Sequence, residues 1–157
     1  MSKLKPPFRA DHVGSLLRVD QLKVARKKFF DEESISREEL TIIENEAIID
    51  NIKMQENAGL AAITDGEARR SFWHYDFMGG LTGLDLVERK EGVQFSGMKL
   101  RPIFPTITGS LDFPDNHPML DHYKFVAENT NMLPKISIPG PSSCHFRTAL
   151  SDIQPEK

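Results

Sequence analysis

Two short clusters carry residue types that can grip a small polar ligand. The segment Asp65-Gly66-Glu67-Ala68-Arg69-Arg70 sets two carboxylates beside two guanidiniums. A carboxylate there can take an ammonium group, and an arginine can take an acidic group through a bidentate contact. The competing reading is a solvated turn followed by a salt-bridged helix start, since short acidic-basic clusters are common on surfaces. The second cluster is His12-Val13-Gly14-Ser15. A glycine after a strand lets backbone approach a ligand, and successive N–H groups with a hydroxyl can cradle a carboxylate. Here the competitor is an ordinary turn with Ser15 as a helix cap. His12 is more often structural than a ligand contact, although a strand end is where contacts gather.

The remaining candidates are weaker. Lys99 and Arg101 form a modest basic spot that suits an anionic tail, or a solvated hairpin. Trp73 and its aromatic neighbours read as core. Pro139-Gly140-Pro141-Ser142 fixes backbone at a strand end and suits a pocket wall. Cys144 has no activating base at a fixed spacing and reads as a buried thiol. The five histidines, His12, His74, His117, His122 and His145, include no H-x-x-x-H pair. Cys144 and His145 are adjacent and would point apart in an extended segment. No cluster of the kind a zinc ion requires is legible, so no metal ligand is expected in this chain.

Elements must hold those clusters in place. Phe8 to Val13 reads as a strand running into the Gly14-Ser15 turn. Val19 to Phe30 has helical spacing through Leu22, Ala25 or Arg26, and Phe29. Ser36-Arg37-Glu38-Glu39 is a capping box that opens a helix over about residues 37–58. Leu40, Ile43, Ala47, Met54 and Ala58 are expected on its apolar face, with Ile48 and Ile52 widening one flank, and Gly59 closes the helix. Leu60–Thr64 follows as a short buried strand ending at the acidic cluster, the αβ half of a βαβ unit. Phe72–Met78 reads as helical, ended by Gly79-Gly80. Residues 84–111 read as an excursion of short strands, with a regular strand resuming at Thr106–Ser110. Asp115–Asn129 reads as a helix through Met119, Tyr123 and Val126, and Pro134–Pro139 as a strand. The order is α/β with parallel strands. It has too few units for a closed eight-stranded barrel, which takes about 250 residues.

Bulk properties narrow the function classes. The 157 residues carry a formal net charge of −3 and are 39% hydrophobic and 27% charged, which suits one folded domain. No basic footprint invites nucleic acid. No apolar run approaches the roughly 18–20 residues that cross a bilayer. The opening MSKLKPPFRADH turns polar where a signal peptide needs its apolar stretch, so a cytoplasmic location is expected. A single cysteine excludes an internal disulfide.

Four stretches in order, FRADHVGSLLR, the helix ending QENAGL, ITDGEARRSFWHYDF and ISIPGPSSCHFR, resemble the cobalamin-independent methionine synthase family, especially its shorter single-barrel members. The resemblance implies the N-terminal half of a (β/α)8 TIM-type barrel with a short β excursion, residues 1–157 forming a partial barrel domain. It implies methyl transfer from methyltetrahydrofolate to the sulfur of homocysteine, giving methionine, with zinc holding the thiolate. Val13-Gly14-Ser15 then matches the turn that contacts the homocysteine carboxylate. Glu67 matches the glutamate that contacts its amino group, Asp65 stands where larger members have histidine, and His12 belongs to the same substrate-binding set. The folate-contacting Arg-Cys pair of larger members would fall near Met98-Lys99, where the sequence departs from the family, and Lys99 and Arg101 are the candidate folate contacts. Arg147 stands near the position of a family tryptophan, a further departure. The zinc ligands and the catalytic histidine belong to the second half of the family's barrel, so this chain alone is expected to be inactive. The alternatives are another zinc-dependent thiol alkyltransferase of the same superfamily, or a non-catalytic half-barrel remnant that self-associates through open barrel edges. One geometric expectation underlies all of this: the turn at residue 14 and the acidic tip at residue 67 share one rim.

Overall fold

The structure, a computed structural model, describes residues 12–88, 94–95, 98–99 and 102–146, with side chains described for 12–88 and 102–144. In chain order its elements are α1 (Asp20–Phe30), α2 (Arg37–Asn57), β1 (Ala62–Ile63), α3 (Tyr75–Met78), β2 (Thr82–Glu88), β3 (Gln94–Phe95), β4 (Met98–Lys99), β5 (Ile103–Asp112), α4 (Pro118–Asn129), β6 (Leu133–Pro134) and α5 (Ser142–Phe146). They fall into two compact units. One comprises Met1–Arg70 with Leu120–Ser137, and the other Ser71–Met119 with Ile138–Lys157. The architecture is mixed α/β with small sheets.

In the first unit, the capping box forms as its sequence requires. The Ser36 hydroxyl accepts from the Glu39 N–H at 3.1 Å, and the Glu39 carboxylate accepts from the Ser36 N–H at 2.7 Å. Gly59, just past the α2 C-cap Ala58, takes the left-handed conformation that ends the helix, with φ +78. The chain then turns into β1, which pairs in parallel with β6, Ala62 opposite Leu133 and Ile63 opposite Pro134. The αβ step and the parallel pairing expected from the spacing are both present. The core beneath them is Leu22, Ala25, Leu40, Ala47, Ile48, Ile52, Ile63, Ala68 and Val126.

The buried face of α2 differs from the one expected. Ile48 and Ile52 lie at its centre, while Met54 and Ala58 are exposed. Two polar side chains, Glu44 and Gln55, complete the buried stripe. Gln55 behaves as a surrogate peptide: its amide donates to the Thr64 carbonyl and accepts from the Thr64 N–H, both at 2.9 Å. A polar residue so partnered sits inside at little cost, and hydropathy spacing cannot foresee the partner.

The second unit holds the β excursion. β2 and β5 pair antiparallel with a register shift between Thr82 and Leu84, where Gly83 has φ +75. Thr106–Ser110, expected to resume the regular strand pattern, lies within β5 and pairs back to β2, because proline at 105 did not stop the ladder. Its second core is Tyr75, Met78, Leu84 and Cys144. The helix expected over 72–78 is shorter, Tyr75–Met78. Trp73, expected in the core, is 46% exposed and lies against the His74 ring instead. Tyr123 is likewise exposed on α4, where Val126 is buried. Cys144 is buried as expected, but on the short helix α5 rather than in an extended segment. Burial pushes its thiol above the ordinary range.

Candidate functional site

Because β1 and β6 run parallel, the residues that follow each strand leave on the same side. After β1 come Thr64, Asp65, Gly66 and Glu67. After β6 come Lys135, Ile136 and Ser137. The Ser137 hydroxyl donates to Glu67 Oε1 at 2.9 Å, closing the gap between the two strand ends. Arg70 Nη1 lies 3.5 Å from the same carboxylate oxygen. Asp65 and Glu67 are only 3% and 7% exposed, and Arg70 2%. Few residue types tolerate such burial unpaired, so the turn is a built feature rather than a solvated loop.

Local hydrogen bonds shape this turn. Thr64 Oγ1 accepts from the Gly66 N–H at 3.1 Å, and Asp65 Oδ1 accepts from the Glu67 N–H at 2.9 Å. Gly66 and Glu67 both take left-handed backbone, φ +64 and +55. Glycine does so freely, whereas for a residue with a Cβ the conformation costs about 1–2 kcal/mol. At Gly66 a Cβ would stand 2.8 Å from Asn51 Nδ2 and 3.1 Å from Leu16, so a side chain there would also have to displace both neighbours. Asp65 Oδ2 is buried without a hydrogen-bond partner, which leaves an acceptor for a ligand donor.

Arginines brace the turn from outside. Arg18 donates through Nε to the Ala68 carbonyl at 3.1 Å and through Nη2 to those of Glu67 and Arg70 at 2.8 and 2.5 Å. Arg26 Nη1 reaches the Arg69 carbonyl at 2.8 Å. Arg26 and Arg69 also share the buried Glu44 carboxylate, at 3.2 and 3.1 Å. Burial pushes the Glu44 carboxyl up, while Arg69 and then Arg26 pull it down. Arg69 is further engaged by Asn45 and lies over the Phe125 ring. Of the two arginines that could take an acidic group, Arg69 has its guanidinium engaged by this frame.

The first cluster meets the second. The Leu16 N–H donates to the Gly66 carbonyl at 3.0 Å, so the Val13-Gly14-Ser15 turn lies directly against the 65–67 turn. His12 Nε2 and Thr64 Oγ1 are 3.1 Å apart, and Lys135 Nζ donates to the His12 carbonyl. Gly14 has φ +101 with nothing within 4 Å of where a Cβ would sit. Two expectations change here. His12 and Val13 are not in a strand, and residues 8–11 of that predicted strand lie outside the described residues. Ser15 does not cap α1, whose N-cap is Val19, four residues on. Of the expected folate contacts, Lys99 has a described backbone in β4 but no described side chain, and Arg101 lies outside the described residues. Arg147 lies outside them too.

Sequence reasoning missed Arg18, Arg26, Glu44, Lys135 and Ser137. Only Glu44 left a signal, a charged residue on the apolar stripe of α2. The others act through backbone or across the parallel strands, which spacing does not reveal. Among the described residues no group of three or more His, Cys, Asp or Glu side chains could hold a metal. No helix among the described residues is long and apolar enough to cross a membrane.

Comparison with known proteins follows the same lines. No protein-family model matches the chain. It is 46% identical over 143 residues to the uncharacterized protein YxjH of Bacillus subtilis (strain 168), covering 90% of this chain and 37% of that protein. It is 40% identical over 151 residues to YxjG of the same organism, also uncharacterized, covering 96% and 39%. A Listeria monocytogenes crystal structure, provisionally assigned as a vitamin-B12-independent methionine synthase, matches with TM-score 0.74 and 38% identity. That match covers 94% of this chain and 40% of the other. A B12-independent methionine synthase from Shewanella sp. W3-18-1, solved with selenomethionine, matches with TM-score 0.55 and 23% identity over 73% of this chain and 33% of the other, a likeness of fold alone. The chain thus spans about two fifths of the length of the Bacillus subtilis relatives it matches. The Listeria structure supports a relationship to cobalamin-independent methionine synthases.

Proposed function

We propose that this chain is the N-terminal part of a cobalamin-independent methionine synthase-like barrel, and that its site holds the amino-acid end of homocysteine during S-methyl transfer. The observation that carries this reading is the contact between the two turns, Leu16 N–H on the Gly66 carbonyl, which sets backbone N–H groups beside a buried pair of carboxylates. An α-amino acid presents a carboxylate and an ammonium on one carbon, and the two turns offer opposite electrostatic partners side by side. The Val13-Gly14-Ser15 turn takes the carboxylate through N–H groups and the Ser15 hydroxyl. Glu67, held by Ser137 and Arg70, takes the ammonium, with Asp65 Oδ2 as a second acceptor. His12 steadies Thr64 at the base of the turn. Gripping both groups fixes the direction in which the side-chain sulfur leaves the site.

Methyltetrahydrofolate as donor and zinc as thiol activator belong to this proposal for the whole protein, as do Lys99 and Arg101 as folate contacts and a cytoplasmic location. Self-association of the chain through open barrel edges belongs to it as well. The test is to supply full-length protein with homocysteine, a methyltetrahydrofolate and zinc, and to measure methionine by mass spectrometry. Methionine formation is expected. Its absence, with alkylation of another thiol acceptor in the same assay, would transfer the reading to a different thiol alkyltransferase of the same superfamily.

A further inference from the structure

The acidic turn holds a conformation that its own sequence resists, and something must hold it there. Glu67 has φ +55 although it carries a Cβ. Within the turn Asp65 Oδ1 accepts from the Glu67 N–H and the Arg70 N–H donates to the Glu67 carbonyl, and neither bond meets the carbonyls of Ala68 and Arg70. At the exit three carbonyl oxygens, those of Glu67, Ala68 and Arg70, converge on one guanidinium, that of Arg18. A guanidinium is planar, permanently charged and carries five N–H donors in a fixed fork, so it can serve three acceptors at once. A lysine ammonium at the same place is a point charge on a flexible stem and cannot span them. Arg18 also sits two residues beyond Leu16, whose N–H meets the Gly66 carbonyl. One short stretch of chain therefore grips both ends of the 66–70 turn.

We infer that Arg18 is a positioning residue whose guanidinium, set on the carbonyls of Glu67, Ala68 and Arg70, keeps Glu67 left-handed so that its carboxylate meets Ser137 and Arg70 in the ligand-binding geometry. Arg18 touches no ligand in this arrangement. It acts through Glu67, and so governs recognition of an ammonium group while leaving the rest of a ligand unaffected. The inference rests on the reading that Glu67 takes an amino-acid ammonium, but its structural half stands without it.

Two measurements on full-length protein separate those halves. Backbone hydrogen exchange reads the turn directly. In Arg18→Ala, amides 67–70 should exchange roughly tenfold faster or more, while those of α2 keep their wild-type rates, because local opening need not involve global unfolding. Unchanged rates at 67–70, or a uniform rise across the first unit, would overturn the inference. Calorimetric titration then reads the consequence with two ligands, homocysteine and 4-mercaptobutanoate, its analogue without the amino group. Arg18→Ala should weaken homocysteine roughly tenfold, the scale of one charge-assisted hydrogen bond, and leave the analogue within about twofold. Arg18→Lys should not restore it. In a Glu67→Gln background Arg18→Ala should cost nothing further, since both act through one carboxylate. Equal weakening for both ligands, or full additivity with Glu67→Gln, would show a general structural role and overturn the inference. If wild type binds neither ligand while exchange at 67–70 responds to Arg18→Ala, the homocysteine reading fails and the positioning role stands.

Discussion

The 65–70 turn and the β2–β5 ribbon make opposite use of their residues. The turn is short, strongly polar and almost wholly buried, and carbonyls at five of its six positions are met by an arginine or by the Leu16 N–H. The ribbon is long, rich in apolar residues and mostly exposed, with Leu86, Val87 and Leu111 on the surface. Hydropathy would assign the interior to the second and the surface to the first. What inverts them is partner supply. Buried charge is tolerable where hydrogen bonds and counter-charges are prearranged, whereas a two-stranded ribbon has one face at most to cover.

The contrast predicts a ranking of substitutions. The largest effect should come from Glu44→Ala, which leaves Arg26 and Arg69 without their shared carboxylate. Breaking such a buried set costs about 3–5 kcal/mol, measurable by urea denaturation. A cost below that of an ordinary surface change would show that the arginine frame is ornamental. Next is Gly66→Ala against Gly59→Ala. Both positions have positive φ, but only Gly66 is hemmed in, by Asn51 and Leu16. Gly59→Ala should cost about 1 kcal/mol, from the left-handed backbone alone, and Gly66→Ala clearly more. Equal costs would mean that the turn can shift to admit a methyl. Ser36→Ala, which removes the capping box, should cost about 1 kcal/mol. On the ribbon, Val87→Thr should change stability by less than about 0.5 kcal/mol, as for other exposed positions. A large destabilisation there would mean that the ribbon is covered in solution.

The smallest effect concerns pH. The buried Cys144 thiol has its pKa raised above the ordinary 9.0 by desolvation. The unfolded chain therefore loses that proton first as pH rises. The contribution of this thiol to stability is complete below pH 9 and declines above it. Cys144→Ser should remove that slope, read as the thermal midpoint from pH 8 to 10. An identical slope in both proteins would place its origin elsewhere.

Much of this arrangement is legible in the sequence. The capping box, Gly59 and the β1 segment announce themselves because each follows from bonds within a few residues. The acidic turn is legible as a cluster, and its meeting with the residue 14 turn is what the family resemblance implies, although no strand leads into residue 14 from His12 and Val13. What escapes has a common physical cause. Glu44 is buried by arginines distant in sequence, Gln55 by the backbone of Thr64 across the turn that ends α2, Arg18 acts on carbonyls that any residue would present, and Ser137 meets Glu67 only through the β1–β6 pairing. Thr106–Ser110 is a strand as expected but belongs to the antiparallel excursion, because a β-rich stretch pairs equally well with an antiparallel neighbour. Trp73 is misassigned because aromatic character suggests burial without securing it.

The central claim is that Glu67 grips the ammonium of a small amino acid at the rim shared with residue 14. Calorimetric titration of L-homocysteine into full-length wild type and Glu67→Gln tests it most directly. Removing a charge-assisted hydrogen bond worth about 1.5–3 kcal/mol corresponds to a roughly tenfold to hundredfold weaker Kd, an effect much larger than that on folding. Equal affinity in the two proteins would contradict the claim.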